Sequence, residues 1–171
     1  MQGHPGGLEH SRYMIELSFL PPGSRWLDMG AGDGEGVRLL REKGYEAQGL
    51  DLSPRGSNVE PGDFLHTPWE AASFDGILSQ CSFYVSGNVP GAIQEAARLL
   101  RPGGKLVFSD VTEDVTALLY QCRTAGFAVR HIEDMTSSWR AYYLEALWTQ
   151  EHVCAPQGKH ISYVLFVCER M

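Results

Sequence analysis

The order of apolar and polar positions predicts strands that alternate with helices along almost the whole chain. Short apolar runs bounded by glycine or proline are typical of buried strands, and apolar residues three or four apart are typical of helices. Such alternation predicts a doubly wound α/β fold, with a mostly parallel seven-stranded sheet covered on both faces. Strands are predicted at 25–29, 45–50, around 58–60, 74–79, 105–110, 127–131 and 161–168, and helices at 8–20, 34–43, 89–100, 113–125 and 137–153.

One connection is too short for the regular pattern. Between Asp51 and Asp63 there is room for a turn and a short strand, but not for a crossover helix. Two prolines and two glycines in this stretch also disfavour a helix. We therefore expect the helix after the second strand to be reduced or missing.

Two segments lie outside the alternation and are expected to cover the sheet. Residues 1–20 are predicted to be an N-terminal lid, and residues 137–153 an inserted helix rich in aromatic residues. The aromatic side chains of that helix either roof a substrate pocket, or pack against the sheet or a second copy in a homodimer. The whole of 1–171 is predicted to be one domain. The aromatic residues of the inserted helix are Trp139, Tyr142, Tyr143 and Trp148.

Charge and cysteine content narrow the class of partner. The formal net charge is −7, and the basic residues are scattered singly, which argues against a nucleic acid or an anionic membrane and favours a small molecule. The four cysteines form no CxxC pair, so we expect reduced thiols and no metal site. No leader-like segment or long apolar run is found, which predicts a cytoplasmic protein.

Three glycines follow the first predicted strand and come directly before a helix. The stretch runs from Asp28 to Gly36, with Gly30, Gly32 and Gly34 inside it. Glycines let the backbone turn sharply and approach a ligand without a Cβ atom in the way. In open α/β sheets, ligands bind outside the carboxyl ends of the strands, where this loop lies. The stretch predicts a ligand-binding loop, and a glycine-rich turn without a ligand is the alternative.

The ligand of this loop is not expected to be a dinucleotide. The fingerprint G-x-G-x-x-G finds no register here, because the sixth position from Gly30 is Glu35 and the sixth from Gly32 is Val37. Asp33 and Glu35 would also repel a pyrophosphate at the helix N-terminus. A cationic ligand that contains a ribose, such as a sulfonium nucleoside, suits the acidic loop better.

A second carboxylate is expected near this ligand. Asp51 ends the second predicted strand, in the run Gly49-Leu-Asp-Leu-Ser53. An acid about twenty residues after the glycines is placed to accept hydrogen bonds from the ribose hydroxyls. The alternative is an aspartate that caps the turn before Ser53-Pro54.

Four motifs in order, with this acid between the first two, resemble the class I S-adenosylmethionine-dependent methyltransferases. The nearest group is the small ubiquinone-biosynthesis-like enzymes, which act on small molecules. The resemblance covers about residues 8–131 and the last strand. The motifs are Asp28 to Gly36, Gly62-Asp63-Phe64, Ser73-Phe-Asp-Gly-Ile-Leu78, and Arg98-Leu-Leu-Arg-Pro-Gly-Gly-Lys-Leu-Val107.

The resemblance implies methyl transfer from S-adenosylmethionine to a small-molecule acceptor by direct displacement. It implies that Asp28 and the glycines line the methionine part, Asp51 the ribose, Leu52 one face of the adenine, and Asp63 and Phe64 the adenine edge and ring. The end of the fourth strand would lie beside the methyl group. The implied cofactor-binding residues are Asp28, Gly30, Ala31, Gly32, Gly34, Asp51, Leu52, Asp63, Phe64, Ser79, Gln80 and Cys81.

The sequence does not identify a general base or the acceptor. Alignment of nucleophile, methyl group and sulfur lowers most of the barrier, so a base is needed only for a protonated nucleophile. Two other functions stay open, a non-catalytic nucleoside-binding protein and an NAD-linked oxidoreductase. By position, the candidate bases are His10, Tyr13, Tyr84 and His131, each of which has a structural role as its alternative.

Overall fold

The computed structural model describes residues 5–148 and 160–171. Residues 1–4 of the predicted lid, and residues 149–153 of the predicted aromatic helix, lie outside these ranges. The described ranges form helices α1 Gly7–Glu16, α2 Glu35–Glu42, α3 Val89–Leu99, α4 Val115–Thr124 and α5 Thr136–Trp148. Their strands are β1 Arg25–Met29, β2 Glu46–Asp51, β3 Val59–Pro61, β4 Phe74–Gln80, β5 Leu100–Thr112, β6 Phe127–Asp134 and β7 Ser162–Arg170.

The seven strands form a single sheet in the order β3-β2-β1-β4-β5-β7-β6. The neighbours from β3 to β5 pair in parallel, whereas β7 runs antiparallel to both β5 and β6. The chain leaves β1 towards β2 on one side and later returns to β4 on the other. The carboxyl ends of β1 and β4 therefore flank the switch point at which ligands bind in such sheets. The predicted fold class is confirmed.

Helices cover both faces of the sheet. Buried residues of α1 and α2, among them Met14 and Leu40, pack with Trp26 and Leu165 on one face. On the other face, α3 and α4 pack against a larger apolar cluster that includes Phe108. Side chains of a strand alternate between the faces, so Ser109 and Asp110 at the end of β5 point to opposite sides.

The expected loss of the helix after the second strand is confirmed. Only residues 52–58 join β2 to β3, and they form bends and turns. Parallel neighbours usually need a long crossover because the chain must return to the start of the sheet. Here β3 has three residues and pairs only with the carboxyl end of β2, from Gly49 to Asp51, so a short loop is sufficient.

The first helix ends earlier than predicted. The predicted helix extends to Leu20, whereas α1 ends at Glu16. The Ser18 hydroxyl donates to the Ile15 carbonyl at 2.6 Å, and Phe19 takes a left-handed φ of 54°, so the helical hydrogen-bond ladder cannot continue. Within the two described ranges, none of the helices has both the length and the apolarity that a membrane crossing requires.

Candidate active site

The glycine-rich loop at the end of β1 leaves no room for side chains. Gly30 has a φ of 82° and Gly34 a φ of 80°, a left-handed conformation that favours glycine. A Cβ atom on Gly30 would overlap the Ser82 side chain, and one on Gly34 would overlap Asn58. Glycine at these two positions therefore makes room for Ser82 and Asn58 and allows the left-handed turns at the switch point.

Asp28 is a buried carboxyl group beneath this loop. Burial, and then the negative charges of Asp51 and Asp33, raise the pKa of Asp28 to about 7. A Cβ atom on Gly36 would strike its carboxylate oxygen, so the start of α2 lies directly against it. A cation placed here would stabilise the ionised form of Asp28, because opposite charge favours ionisation.

Asp51, at the end of the neighbouring strand β2, forms a hydrogen bond with the glycine loop. Its Oδ2 accepts from the Gly32 amide at 2.9 Å, and its Oδ1 accepts from the Ser53 amide at 2.8 Å. The turn-capping alternative is therefore present in the structure, and each oxygen keeps a lone pair for a ribose hydroxyl. Leu52 beside it is 71% exposed and free of core contacts.

Asp63 and Phe64 differ in what they offer a ligand. Asp63 Oδ1 accepts from the Leu65 amide at 2.8 Å in a local turn. The Phe64 ring lies in the core, with its centroid 5.8 Å from that of Phe83. A contact between Phe64 and an adenine therefore falls to the backbone, not to the ring.

Two residues that the sequence pattern does not indicate, Arg55 and Asn58, hold the glycine loop in place. The Arg55 amide donates to the Gly32 carbonyl at 2.8 Å, and its guanidinium Nη2 lies 2.9 Å from the place where a Gly32 Cβ would stand. Asn58 donates from Nδ2 to the Gly34 carbonyl at 3.1 Å. Both lie in the shortened β2–β3 connection, whose lack of periodicity hides its side-chain contacts. The cleft is lined by Asp28, Gly30, Ala31, Gly32, Asp33, Glu35, Gly36, Arg55 and Gln80.

Gln80, at the end of β4, lines the same cleft. The Ser79 hydroxyl donates to the Met29 carbonyl at 3.0 Å, which ties β4 to β1. Gln80 Oε1 accepts from the Ser11 hydroxyl of α1 at 3.1 Å. Cys81 takes a left-handed φ of 53°, a costly conformation for a residue with a side chain.

A hydrogen-bonded cluster lies next to Cys81 on the face covered by α1. The Cys81 thiol donates to the Tyr163 hydroxyl at 3.5 Å, and Tyr163 donates to Ser109 Oγ at 2.7 Å. His10 Nε2 lies 3.3 Å from the same Ser109 oxygen. Burial raises the pKa of Cys81 to about 12 and holds that of Tyr163 well above its usual value, so both stay neutral. His10 and Cys81 are candidates from the sequence, whereas no sequence pattern indicates Ser109 or Tyr163.

Tyr84 lines a separate cavity on the opposite face of the sheet. Its amide donates to Asp110 Oδ2 at 2.9 Å, and the Val111 amide donates to Oδ1 at 2.8 Å. Burial raises the pKa of Asp110 to about 6. The cavity has a volume of about 360 Å³ and is lined by Tyr84, Val89, Phe108, Asp110, Val111, Thr112, Glu113, Asp114, Ala117, Leu118 and Gln121.

Tyr13 and His131 share one partner, Glu133, away from the cleft. The Tyr13 hydroxyl donates to Glu133 Oε2 at 2.7 Å, and His131 Nε2 lies 3.3 Å from the same oxygen. The Tyr13 hydrogen bond and the His131 partner hold the pKa of Glu133 below its usual value. These contacts join α1 to the edge strand β6, and the structure brings neither residue to the cleft.

The aromatic residues of α5 divide between two environments. Trp139 is 9% exposed and packs with Val111 and Tyr163, with Tyr143 at its edge. Trp148 is 87% exposed. Trp139 therefore packs against the sheet, where it covers Tyr163 of the hydrogen-bonded cluster.

Comparison with known proteins identifies the family of this chain. A family model described as a methyltransferase domain matches residues 9–164. The chain therefore belongs to the class I S-adenosylmethionine-dependent methyltransferases, as its motifs predicted.

Individual relatives act on different substrates. The chain is 32% identical over 117 residues to the sarcosine/dimethylglycine N-methyltransferase of Aphanothece halophytica, a match that covers 58% of this chain and 42% of that protein. It is 33% identical over 97 residues to the demethylmenaquinone methyltransferase of Tropheryma whipplei, covering 50% and 41%. The matches thus span about two fifths of the length of these relatives.

A solved structure shares the fold over nearly the whole chain. The phosphoethanolamine N-methyltransferase 2 of Haemonchus contortus, solved with S-adenosyl-L-methionine, aligns with a TM-score of 0.81 at 18% identity. The alignment covers 98% of this chain and 53% of that one. At this identity the likeness supports the fold alone.

Proposed function

We propose that this protein transfers a methyl group from S-adenosylmethionine to a small-molecule acceptor by direct displacement. The observation that carries the proposal is the cleft at the end of β1, which is lined by the glycine loop and by the buried Asp28, whose pKa is raised to about 7. Such a cleft admits a ligand closely and favours a positive charge.

The residues of the cleft fit this cofactor. Gly30 and Gly32 would lie along the methionine part, with Asp28 beneath it. Asp51 already orients both carboxylate oxygens through backbone amides, which preorganises it for ribose hydroxyls. When bound, the cofactor supplies an electrophilic methyl group on a sulfonium. The protein has to hold the acceptor in line with that methyl group and exclude water.

The acceptor would lie where the ends of β4 and β5 meet α1. Ser11 and His10 bring α1 to Gln80 and Ser109 at this point, so the N-terminal helix closes over the end of β4. The named relatives act on acceptors as different as sarcosine and demethylmenaquinone, so they support a small molecule without selecting one. The net charge of −7 also favours a small acceptor over nucleic acid. A cytoplasmic location and a homodimer stay predictions.

Calorimetric titration with three ligands tests the cofactor. We expect binding of S-adenosylmethionine and of S-adenosylhomocysteine, and no binding of NAD. Binding of NAD, with no response to either sulfur nucleoside, would restore the oxidoreductase alternative and overturn the proposal. Transfer of a labelled methyl group to any acceptor in a panel of amines, phenols and carboxylic acids would remove the non-catalytic alternative.

A further inference from the structure

Four neighbouring side chains form a continuous hydrogen-bonded path from the end of β4 to α1. The path runs from the Cys81 thiol through the Tyr163 and Ser109 hydroxyls to His10 Nε2, with steps of 3.5, 2.7 and 3.3 Å. Tyr163, Ser109 and His10 are buried, whereas Cys81 is partly exposed. Cys81 directly follows Gln80, which lines the cleft, so the path begins next to the cleft and runs into the protein as far as His10.

The hydrogen bonds along this path share one direction. Tyr163 donates to Ser109 Oγ, so the single proton of Ser109 is available for His10 Nε2. A neutral imidazole accepts at one nitrogen and donates at the other, so in the tautomer with its proton on Nδ1 the Nε2 atom of His10 accepts the Ser109 proton. In that tautomer each group along the path donates towards His10, the arrangement that a proton relay requires.

A role in cofactor binding does not account for this cluster. Tyr163 and Ser109 lie on β7 and β5, whereas the cleft is lined by residues around β1, β2 and the end of β4. Burying polar groups is costly unless they are fully hydrogen-bonded, and Cys81 adds a strained backbone conformation. Strained residues cluster at functional sites, and Cys81 is the chain neighbour of Gln80, which lines the cleft.

We infer that His10 is the terminal proton acceptor of a relay that takes a proton from the methyl acceptor, and hence that the acceptor carries an N–H or O–H group. This inference rests on the proposed function. As the nucleophile attacks, its proton passes to the Cys81 sulfur, the thiol proton to Tyr163, the Tyr163 proton to Ser109, and the Ser109 proton to His10 Nε2. Cys81, Tyr163 and Ser109 each gain and lose one proton, and His10 ends as an imidazolium.

Nitrogen NMR of the histidine rings tests the path without any substrate. In protein labelled with ¹⁵N-histidine, the resonances that disappear in His10→Gln identify His10 among the six histidines. We expect the Nε2 resonance of His10 to have the shift of an accepting nitrogen, and to move in both Ser109→Ala and Tyr163→Phe. Tyr45→Phe is the matched control, because its hydroxyl donates to the Leu20 carbonyl away from the path. A His10 spectrum that is unchanged in Tyr163→Phe would overturn the relay.

Kinetics of His10→Gln test the function of the path. Glutamine keeps an oxygen that can accept from Ser109 but cannot take up the proton. We expect kcat to fall about 100-fold, the lower range for acid–base catalysis, while the acceptor KM and the affinity for S-adenosylhomocysteine stay the same. Tyr163→Phe should show the same split, and Tyr45→Phe should behave as wild type. Full turnover by His10→Gln would contradict the inference.

The acceptor panel separates this inference from the proposed function. We expect methylation of an amine such as sarcosine, or of a phenol such as catechol, and none of dimethyl sulfide, whose nucleophilic atom carries no proton. Methylation of the thioether would overturn the relay and leave the proposed function standing. A wild-type protein that fails to bind S-adenosylhomocysteine would instead overturn the proposed function.

Discussion

The two halves of the carboxyl edge of the sheet differ in charge. The β1–β2 half carries the carboxylates of Asp28, Asp33 and Asp51 around bare glycine backbone. On the face covered by α1, the β4–β5–β7 half carries a thiol and a phenol that stay neutral because burial raises their pKa values. The first half concentrates acidic groups, with the guanidinium of Arg55 beside them, and the second concentrates neutral hydrogen-bonding groups in a dry environment.

This difference matches two separate chemical tasks. A carboxylate-rich cleft selects a cation and stabilises it by charge. Neutral hydroxyls in a buried path cost little electrostatically and can pass a proton without holding a charge. Substitutions in the two halves should therefore have different effects. Those near β1 should alter ligand affinity, and those near β5 and β7 should alter turnover.

Deletion of residues 1–13 is expected to have the largest effect. It removes His10 and the first part of α1, which covers the end of β4. Methyl transfer should fall at least about 100-fold, because the terminal proton acceptor is lost. Binding of S-adenosylhomocysteine should persist at least in part, since the glycine loop and Asp51 remain. Deletion of residues 1–4, which lie before α1, is the control for calorimetry and labelled methyl transfer. A truncated protein with full turnover would show that α1 takes no part in the acceptor half.

Two tryptophans of α5, Trp139 and Trp148, provide a matched test of whether this helix packs over the β4–β5–β7 half. Trp139→Ala should destabilise the protein by about 3–5 kcal/mol, because a buried indole is removed from the sheet. Trp148→Ala, at an exposed position, should change stability by less than about 0.5 kcal/mol. Urea unfolding measures both variants. Equal effects would mean that α5 does not pack through Trp139.

In the β1–β2 half, Asp28→Asn should change how the stability of the protein depends on pH. Folded protein keeps a proton on Asp28 up to about pH 7, whereas the unfolded chain releases it near pH 4. Between these two pH values unfolding releases the Asp28 proton. The contribution of Asp28 to the free energy of unfolding therefore falls as pH rises from about 4 to 7. The free energy of unfolding of Asp28→Asn, taken relative to that of the wild type, should therefore rise by about 2–4 kcal/mol across that window.

Urea unfolding of both proteins at pH 4.5 and 8, as approximate endpoints, measures this change. Binding should show the complementary trend. Affinity for S-adenosylmethionine should rise in the wild type as Asp28 ionises through about pH 7, and it should be less dependent on pH in Asp28→Asn. A stability difference that is constant with pH would contradict the burial of Asp28 as an acid.

Asp51→Ala is expected to weaken ligand binding while the fold stays intact. Affinity for S-adenosylhomocysteine should fall by about 1.5–3 kcal/mol for each charged hydrogen bond lost, with the protein still folded. Asp134→Ala is the control, since Asp134 likewise accepts from a backbone amide in a turn, at 2.9 Å from Thr136 N, but far from the cleft. Calorimetry should show unchanged affinity in the control. Unchanged affinity in folded Asp51→Ala would assign Asp51 to the turn alone.

Local patterns in the sequence were sufficient to predict the strands and the glycine loop that follows β1. The run from Asp28 to Gly36 contains the glycines of the loop and most of the acidic residues around it. Asp51 ends the next strand, β2. Because parallel strands end at one edge, residues at strand ends were expected to meet there. The structure places Ser79 and Gln80 at this edge as predicted.

The second half was largely hidden because its contacts join distant parts of the chain. Tyr163 begins a strand, and only the antiparallel pairing of β7 with β5 brings it opposite Val111 at the carboxyl edge. Ser109 looked like one more residue of a buried strand. In the same way, Tyr13 and His131 were both chosen as candidate bases by position, yet the fold joins them to Glu133 instead.

The sequence by itself determined the order of strands and helices, the shortened β2–β3 connection and the glycine loop, because each depends on residues that are near neighbours in the chain. Only the tertiary structure decided that the Phe64 ring faces the core, that Trp139 is buried while Trp148 is exposed, and that His10 reaches Ser109. The physical reason is that side-chain burial and hydrogen-bond partners depend on which elements pack together. Helical and strand periodicity identifies an apolar face, but it does not specify which residue of another element will lie against it.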